Sequence, residues 1–487
     1  MTLEQKSKHK SELNKRRWLV RYAILATLLS ILAVKFYMML YVLDIFVGAY
    51  SFVTTFVLTS ILFITYLKYK DPYIKADNIT HLYDNKPLVT IVVPVKNEEE
   101  NIRRCVQSCV DSTYSPKEII VVNDGSTDQT PRTLDQMHKE HPDLHIIHLS
   151  KSIGKKRAIE MATEIAKGEI YVFMDSDCNM ASDAVENAVK IFLSDRTIGA
   201  VTAHGRVRGA ENGSTLKKLQ DVWYDGQYRI IKGMESSFSA LTCCSGAFTA
   251  FKRAAVQPYM HVWAHDRFLG GEFKFATDRR LTAYVLGAKP PSQEEPENGG
   301  ESQSAAGASS YISLLATGND DYESMRRSSD SEVVTEDKPS YRWKLKYSPH
   351  VRVYIGPPET FPSLIRQQIR WRKSFIRSIF ATGGVYWRRP FFAALLYYLQ
   401  VGLKIIRPYV VFQALILLPL LSNDYYSGIF YVVSVIFTGM IYGIDFRLRN
   451  PGNPLWLYRP LITVLSTFVF TWLLIYAAMT IKKSAWR

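Results

Sequence analysis

The sequence predicts an α/β domain of ordinary globular composition, held between apolar segments long enough to cross a bilayer. Three observations carry this. Strand-like runs and helical segments alternate between about residues 88 and 207, the pattern of a parallel sheet covered on both faces. Both ends of the chain are strongly apolar and the middle is not, a segregation concealed by a mean hydropathy near zero. The formal charge of +15 rests on basic residues crowded at the edges of the apolar segments, as the positive-inside rule expects of a membrane protein. That placement argues against nucleic-acid binding. The five cysteines, Cys105, Cys109, Cys178, Cys243 and Cys244, have no paired spacing near histidines. Reduced thiols facing the cytosol are therefore expected, and a zinc site is not.

Residues 1–17 are polar and basic, and no small-residue cleavage site follows the next apolar run, so they read as a cytosolic tail. Trp18 to about Met39 and about Ile45 to Leu67 are each long enough to span a membrane. With the short Tyr41–Asp44 link between them, residues 18–68 are expected to form two transmembrane helices. Two crossings return the chain to the side of its basic N-terminus. The segment that follows is thus expected in the cytosol, with Asn78-Ile-Thr80 and Asn212-Gly-Ser214 unglycosylated.

A catalytic domain is expected over 85–288. Its strands are Leu88–Val93, Glu118–Val122, Leu144–His148, Ile170–Met174 and one near Ala200–Val207. Helices at about 98–111, 128–140, 155–167, 181–194 and 215–233 lie between and after them. Residues 289–340 are rich in Ser, Glu, Asp, Gly and Pro, and cannot bury enough apolar surface to offset their ordering entropy. They read as a disordered, acidic, Ser-rich insert, in which Arg326-Arg327-Ser328-Ser329 is a candidate for a kinase. Residues 341–390 are expected to complete the catalytic domain, with an amphipathic basic helix at about 361–380 lying along the membrane. In 391–487 the apolar stretches 391–421, 428–446 and 460–481 give three or four crossings, because Lys404 and Arg407-Pro408 interrupt the first.

The candidate chemistry begins where the apolar run Ile170–Met174 ends in Asp175-Ser176-Asp177. Carboxyl ends of parallel strands face the ligand crevice of an open sheet. Two hard oxygen donors side by side suit a divalent cation that keeps positions open for a phosphate-bearing substrate. Taken alone, the pair also reads as a solvated loop; its surroundings supply what it lacks. Asp124, ending another strand, can accept hydrogen bonds from a uracil N–H or a ribose hydroxyl. Gly154-Lys155-Lys156-Arg157 opens a helix with cations placed for a phosphate. Asp278, in Thr277-Asp278-Arg279-Arg280-Leu281-Thr282, is an acid outside the metal pair and available as a general base. Gln367-Gln368-Ile369-Arg370-Trp371 offers a guanidinium for a diphosphate and a flat indole face for a sugar ring.

The ordered series Pro94-x-x-Asn97-Glu98, Asp124-Gly-Ser, Gly154-Lys155, Asp175-x-Asp177, Cys243-x-Ser245-Gly246, Asp278-Arg279-x-Leu281-Thr282 and Gln367-x-x-Arg370-Trp371 resembles the membrane-embedded family 2 glycosyltransferases. These include the hyaluronan, chitin and cellulose synthases. Arg370-Trp371-Arg372-Lys373-Ser374-Phe375 looks most like the hyaluronan synthase branch and related fungal polysaccharide synthases. The resemblance implies a GT-A, Rossmann-like cytosolic domain inserted between N- and C-terminal transmembrane helices. It implies a UDP-sugar donor held by Pro94, Asn97, Glu98, Asp124, Lys155, Arg157 and Asp175. Mg²⁺ or Mn²⁺ would sit on Asp175 and Asp177, with Asp278 as the base. Cys243, Ser245, Gly246, Arg279, Gln367, Arg370 and Trp371 would serve the acceptor and diphosphate. The expected activity is processive, inverting synthesis of a β-linked polysaccharide by a multi-pass protein of the plasma membrane, the growing polymer passing outward through the bilayer. Two other readings share the motifs: a non-processive transferase acting on a lipid phosphate, and an inactive membrane scaffold.

Overall fold

The computed structural model describes residues 22, 25–40, 44–77, 86–287 and 343–483. The basic tail, the acidic insert and the last four residues of the chain lie outside these. Helix α1 (Leu25–Leu40) precedes α2 (Ile45–Leu67), whose N-terminus is capped by Asp44 accepting from Val47 N at 2.8 Å. The short α3 (Pro72–Asp77) leads towards the sheet.

Strand β1 (Val89–Val95) is buried at every position because it lies between two parallel neighbours, β2 (Lys117–Asn123) and β4 (Ile170–Phe173). A continuous β-branched run is what such a central strand requires. Each of its valines contributes about 1.5–3 kcal/mol when fully removed from water. Between these strands run α4 (Ile102–Val110), α5 (Thr130–Glu140), β3 (Leu144–His148) and α6 (Lys155–Ile165). The order β3-β2-β1-β4 is all parallel, as the alternating pattern predicts.

Beyond β4 the sheet departs from that pattern and becomes mixed. A three-residue β5 (Cys178–Met180) and α7 (Ala184–Ser194) lead to β6 (Ile198–Val207). Then β7 (Thr249–Lys252) inserts antiparallel between β4 and β6, and β10 (Lys344–Ile355), arriving after the insert, pairs parallel to β6. The full order is β3-β2-β1-β4-β7-β6-β10-β5, the GT-A arrangement. Hairpin strands β8 (Arg267–Phe268) and β9 (Gly271–Glu272) stand apart from it.

The predicted helix 215–233 is α8 (Thr215–Asp225) continued through a wider π turn at Gly226–Lys232 into α9 (Gly233–Ser237). At Gly226 the guanidinium of Arg459 packs where a Cβ would stand, so a larger residue there would have to displace it. Short helices α10 (Arg253–Val256) and α11 (Met260–Ala264) precede α12 (Thr277–Gly287).

Helix α13 (Phe361–Ala381) starts with a Thr360–Ser363 capping box and Pro362 in its first turn. The apolar segments that follow differ from expectation at two points. Lys404, Arg407 and Pro408 do not interrupt a span; all three lie inside α14 (Phe391–Phe412), which extends through further turns to Ser422. Its two cations face the cavity described below instead of lipid. The break falls later, where α16 (Tyr458–Phe468) and α17 (Leu473–Met479) meet at 42° after α15 (Tyr425–Arg449). By length and composition three helices among the described residues can cross a membrane, or four if this bent pair is one span.

Candidate active site

One cavity of about 1580 Å³ takes in every residue given a role above in holding donor, metal or acceptor or in acting as the base. It opens along the carboxyl ends of β1, β2 and β4, and continues between the membrane helices to Lys404, Arg407 and Tyr442.

On the sheet side, Asp175 and Asp177 follow the end of β4 as the apolar run predicts. Asp175 N is tied to Gly246 O at 3.0 Å, and a Cβ on Gly246 would stand 3.0 Å from the Asp175 carboxylate. The glycine is therefore what lets that carboxylate occupy its place. Lys155, in the first turn of α6, forms an ion pair with Asp175 and lies within electrostatic reach of Asp177 and Asp278 as well. Burial, and then the charge of Asp175, push the Asp177 carboxyl up to about 6, although the Cys178 thiol donates to it at 3.1 Å. Two acids crowded this closely repel each other, and a divalent cation would relieve them.

Asp124 has a more immediate task than the predicted contact with uracil. Its two oxygens accept from Ser152 Oγ at 2.8 Å, Ile153 N at 2.6 Å and Gly154 N at 3.1–3.2 Å. It braces the loop that delivers Lys155 and retains little acceptor capacity of its own. Asn97, at φ 52°, donates its backbone N–H to Ser126 Oγ and accepts Thr127 N–H at 2.8 Å. Pro94, Asn97 and Glu98 thereby meet the Asp124-Gly125-Ser126 loop in one wall. Arg157 stands 3.6 Å from Glu272 on β9.

Asp278 occupies the first turn of α12, where a carboxylate is favoured by the helix dipole. The Cys243 thiol donates to it at 3.3 Å. Burial and the neighbouring Asp278 charge push that thiol up to about 12, so it stays a neutral donor. The turn 242–246 is pinned from several directions. Glu235 accepts from Thr242, Lys232 donates to the Cys243 carbonyl, Cys244 N donates to Thr282, and Ser245 N to Thr202. Arg279 faces the same cavity beside Cys243.

On α13, Trp371 is stacked on Trp223 at 5.2 Å and 11°, with Tyr224 edge-on at 6.0 Å. One indole face is thus occupied by protein. Gln367 Oε1 is buried in the cavity wall with no hydrogen-bond partner among the described residues. A buried acceptor in that condition calls for a ligand donor. Arg370 lies beside it.

Several residues of this region escaped sequence reasoning. Trp223 and Tyr224 sit in the helix expected at about 215–233, to which the motifs attach no role. Glu235 and Lys232 act through a turn that follows them by seven and eleven residues. Asp266, nearly enclosed, joins Arg377 at 2.7 Å, Arg280 at 3.3 Å and Lys156 at 3.5 Å. It links α6, α12 and α13, the helices carrying Lys155, Asp278 and Trp371.

Residues 90–259 match the family described as glycosyl transferase family 2. Hyaluronan synthase of Streptococcus pyogenes is 24% identical over 459 residues, covering 91% of this chain and 93% of that protein. Poly-β-1,6-N-acetyl-D-glucosamine synthase of Staphylococcus aureus is 31% identical over 168 residues, 34% of this chain and 40% of that enzyme. A mannosyltransferase of Pyrobaculum calidifontis, solved with GDP-Man and Mn²⁺, superposes with a TM-score of 0.47 at 18% identity, covering 89% of this chain and 99% of that one. The chain is a glycosyltransferase: it carries a family 2 glycosyltransferase domain of GT-A fold, joined to apolar helices long enough to cross a membrane.

Proposed function

We propose that this protein is a processive, inverting, metal-dependent polysaccharide synthase of the plasma membrane, using a UDP-sugar at the cytosolic face and passing a β-linked polymer outward. The observation that carries the reading is the continuity of the cavity, from the Asp175–Asp177 pair past Asp278 and Trp371 to the polar interior of the membrane helices. Two curated relatives whose names are those of polysaccharide synthases support it.

Asp175 and Asp177 fit a Mg²⁺ or Mn²⁺ ion: both face the cavity, they repel each other, and Gly246 makes room for one of them. When bound, such an ion would screen the diphosphate as it leaves. Lys155 adds a fixed cation to the same wall. The acceptor hydroxyl oxygen attacks the anomeric carbon as the bond from that carbon to the phosphate oxygen breaks. Its proton passes to Asp278, whose orientation is held by Cys243 and by the start of α12. Gln367 Oε1 is placed to accept from an acceptor hydroxyl, and the outer face of Trp371 to carry the terminal sugar ring. Lys404, Arg407 and Tyr442 then line a path that suits a carbohydrate better than a lipid tail.

The test is Asp278→Asn, which keeps shape and hydrogen bonding but cannot take the proton. UDP binding should match the parent while turnover falls by about 10²–10⁴-fold. Near-parental polymerisation would remove the assignment and make Glu272 the next acid to replace. Product length on a gel separates processive synthesis from single transfer to a lipid phosphate, and an inactive scaffold would consume no UDP-sugar.

A further inference from the structure

On the side of α6 turned away from the cavity, Glu160 meets two histidines carried by α11 and the residue that ends it. His261 Nδ1 is 2.8 Å from Glu160 Oε1, and His265 Nδ1 is 3.7 Å from Glu160 Oε2. The imidazole centroids are 4.4 Å apart, and one ligand atom from each of the three residues lies within 4.8 Å of the others. None of the three lines the cavity. Glu160 is buried while His261 is exposed, so the cluster is open to solvent on one side.

The spacing is also that of a ligand set. His261 and His265 are four residues apart, as are Glu160 and Glu164 on the facing helix, a separation that keeps each pair on one side. Glu164 is within electrostatic reach of both Glu160 and His261. His265 Nδ1 lies 3.1 Å from the carbonyl oxygen of His261; a backbone bond of this type orients a metal-bound imidazole and leaves Nε2 as its ligand atom. A plain carboxylate–imidazole hydrogen bond accounts for His261. The carbonyl of His261 holds the second imidazole beside the same carboxylate.

Two imidazoles with one or two carboxylates form a borderline donor set that suits Zn²⁺; Mg²⁺ and Ca²⁺ prefer oxygen alone. Tetrahedral Zn²⁺ bonds of about 2.0–2.2 Å put ligand atoms about 3.3–3.5 Å apart. Closing the cluster on an ion therefore needs a contraction of up to about 1.3–1.5 Å in its longest separation. The cysteine spacing gave no zinc site, and this cluster uses none of the cysteines.

We propose that Glu160, His261 and His265 form a second divalent-cation site, for Zn²⁺ or a similarly borderline ion, that fastens α6 to α11 behind the donor wall. The position gives the site a consequence for the reaction. The first turn of α6 carries Lys155 and Arg157 into the cavity, and α11 runs on through Asp266 towards Asp278. An ion joining the two helices fixes the spacing between the phosphate-facing cations and the base. The site stands independently of the donor assignment.

Purified full-length protein is titrated with Zn²⁺ against a chromogenic chelator, in parallel with Asp175→Asn/Asp177→Asn, Glu160→Gln and His261→Ala/His265→Ala. The expected result is one Zn²⁺ equivalent that survives in the aspartate variant and resists excess Mg²⁺. Its affinity falls by about tenfold or more in Glu160→Gln, and binding is lost in the histidine variant. Co²⁺ in place of Zn²⁺ should give tetrahedral absorption in the parent and none in the histidine variant. Should the double variant fail to fold, His265→Gln carries the same comparison. Unchanged Zn²⁺ binding in the histidine variants, or loss confined to the aspartate variant, overturns the proposal.

Discussion

Replacing Asp266 by asparagine leaves three cations facing a neutral amide in a site closed to water. The side chain is 3% exposed, and its partners Lys156, Arg280 and Arg377 are 6%, 20% and 9% exposed. Removing one partner from a buried ion cluster costs about 3–5 kcal/mol, because the remaining charges keep their desolvation penalty. Lys156 supplies part of the relief. Burial already depresses its ammonium to about 8, with Asp266 holding it up against Arg377 and Arg280. Without Asp266 it should be neutral near pH 7.

The pH dependence follows in sign. The folded-state pKa of Lys156 lies below the unfolded value of about 10.5, so its destabilising effect is full below pH 8 and fades as pH rises towards 10.5. In Asp266→Asn the folded pKa is lower still, so at pH 7 folding releases nearly a whole proton. Between pH 7 and 8 the variant should then recover up to about 1 kcal/mol relative to the parent, which itself releases part of a proton over that interval. Unfolding is followed by pulse proteolysis in detergent at pH 7 and 8, with UDP binding measured on the same samples. Lys156→Met added to Asp266→Asn should restore at least about 1 kcal/mol at pH 7, because it removes a buried amine that must give up its proton on folding. Asp266→Asn within about 1 kcal/mol of the parent, with the same pH slope, would refute the reasoning.

Three further outcomes are expected. A cation on Asp177 must displace a proton below about pH 6, so Mn²⁺-dependent UDP affinity should be level above that pH and fall about tenfold per unit beneath it; a flat titration from pH 7 to 5 would contradict the assignment. Gly246→Ala should weaken that affinity with little loss of stability, because the new Cβ presses on the Asp175 carboxylate at 3.0 Å, and a parental Mn²⁺ titration would show that the carboxylate yields freely. Trp371→Ala should shorten or abolish polymer while UDP still binds; weaker UDP binding with normal elongation at saturating donor would assign the indole elsewhere.

What the sequence disclosed follows the range of the forces involved. Strands β1 to β4 were legible because each is a short apolar run bounded by turn residues, and parallel pairing of consecutive units needs no further information. Strand β7 was not. Its Thr249–Lys252 run is four residues long and pairs antiparallel with strands distant in sequence. Pro408 misled for a related reason: it reads as a helix breaker, but here α14 carries it inside. Motif residues were visible as a set, and the structure gathers them around one cavity. Their partners were not. Nothing local distinguishes Asp266 from any surface acid, and Trp223 becomes informative only when α13 brings Trp371 onto its face.

The same long-range charges bear on how a polymer would advance. Arg449, at the end of α15, joins Asp445 on its own helix to Asp225 on α8 at 3.0 Å, and Tyr66 of α2 donates to Asp445 at 2.6 Å. Arg459 packs against Gly226 in the adjoining turn. Sliding the sheet domain over the membrane helices would separate these pairs in a buried setting, at about 3–5 kcal/mol for each broken partnership. That barrier opposes a cycle in which the two parts shift against each other at every sugar added. Displacement of the chain itself, drawn along the Trp371 face and into the polar interior of the helices, leaves the pairs intact. Arg449→Met should accordingly lower stability by a similar amount, and polymer length should fall only as far as folded enzyme is lost. A variant that folded like the parent but released short chains would instead place the moving joint at Asp225 and Arg449.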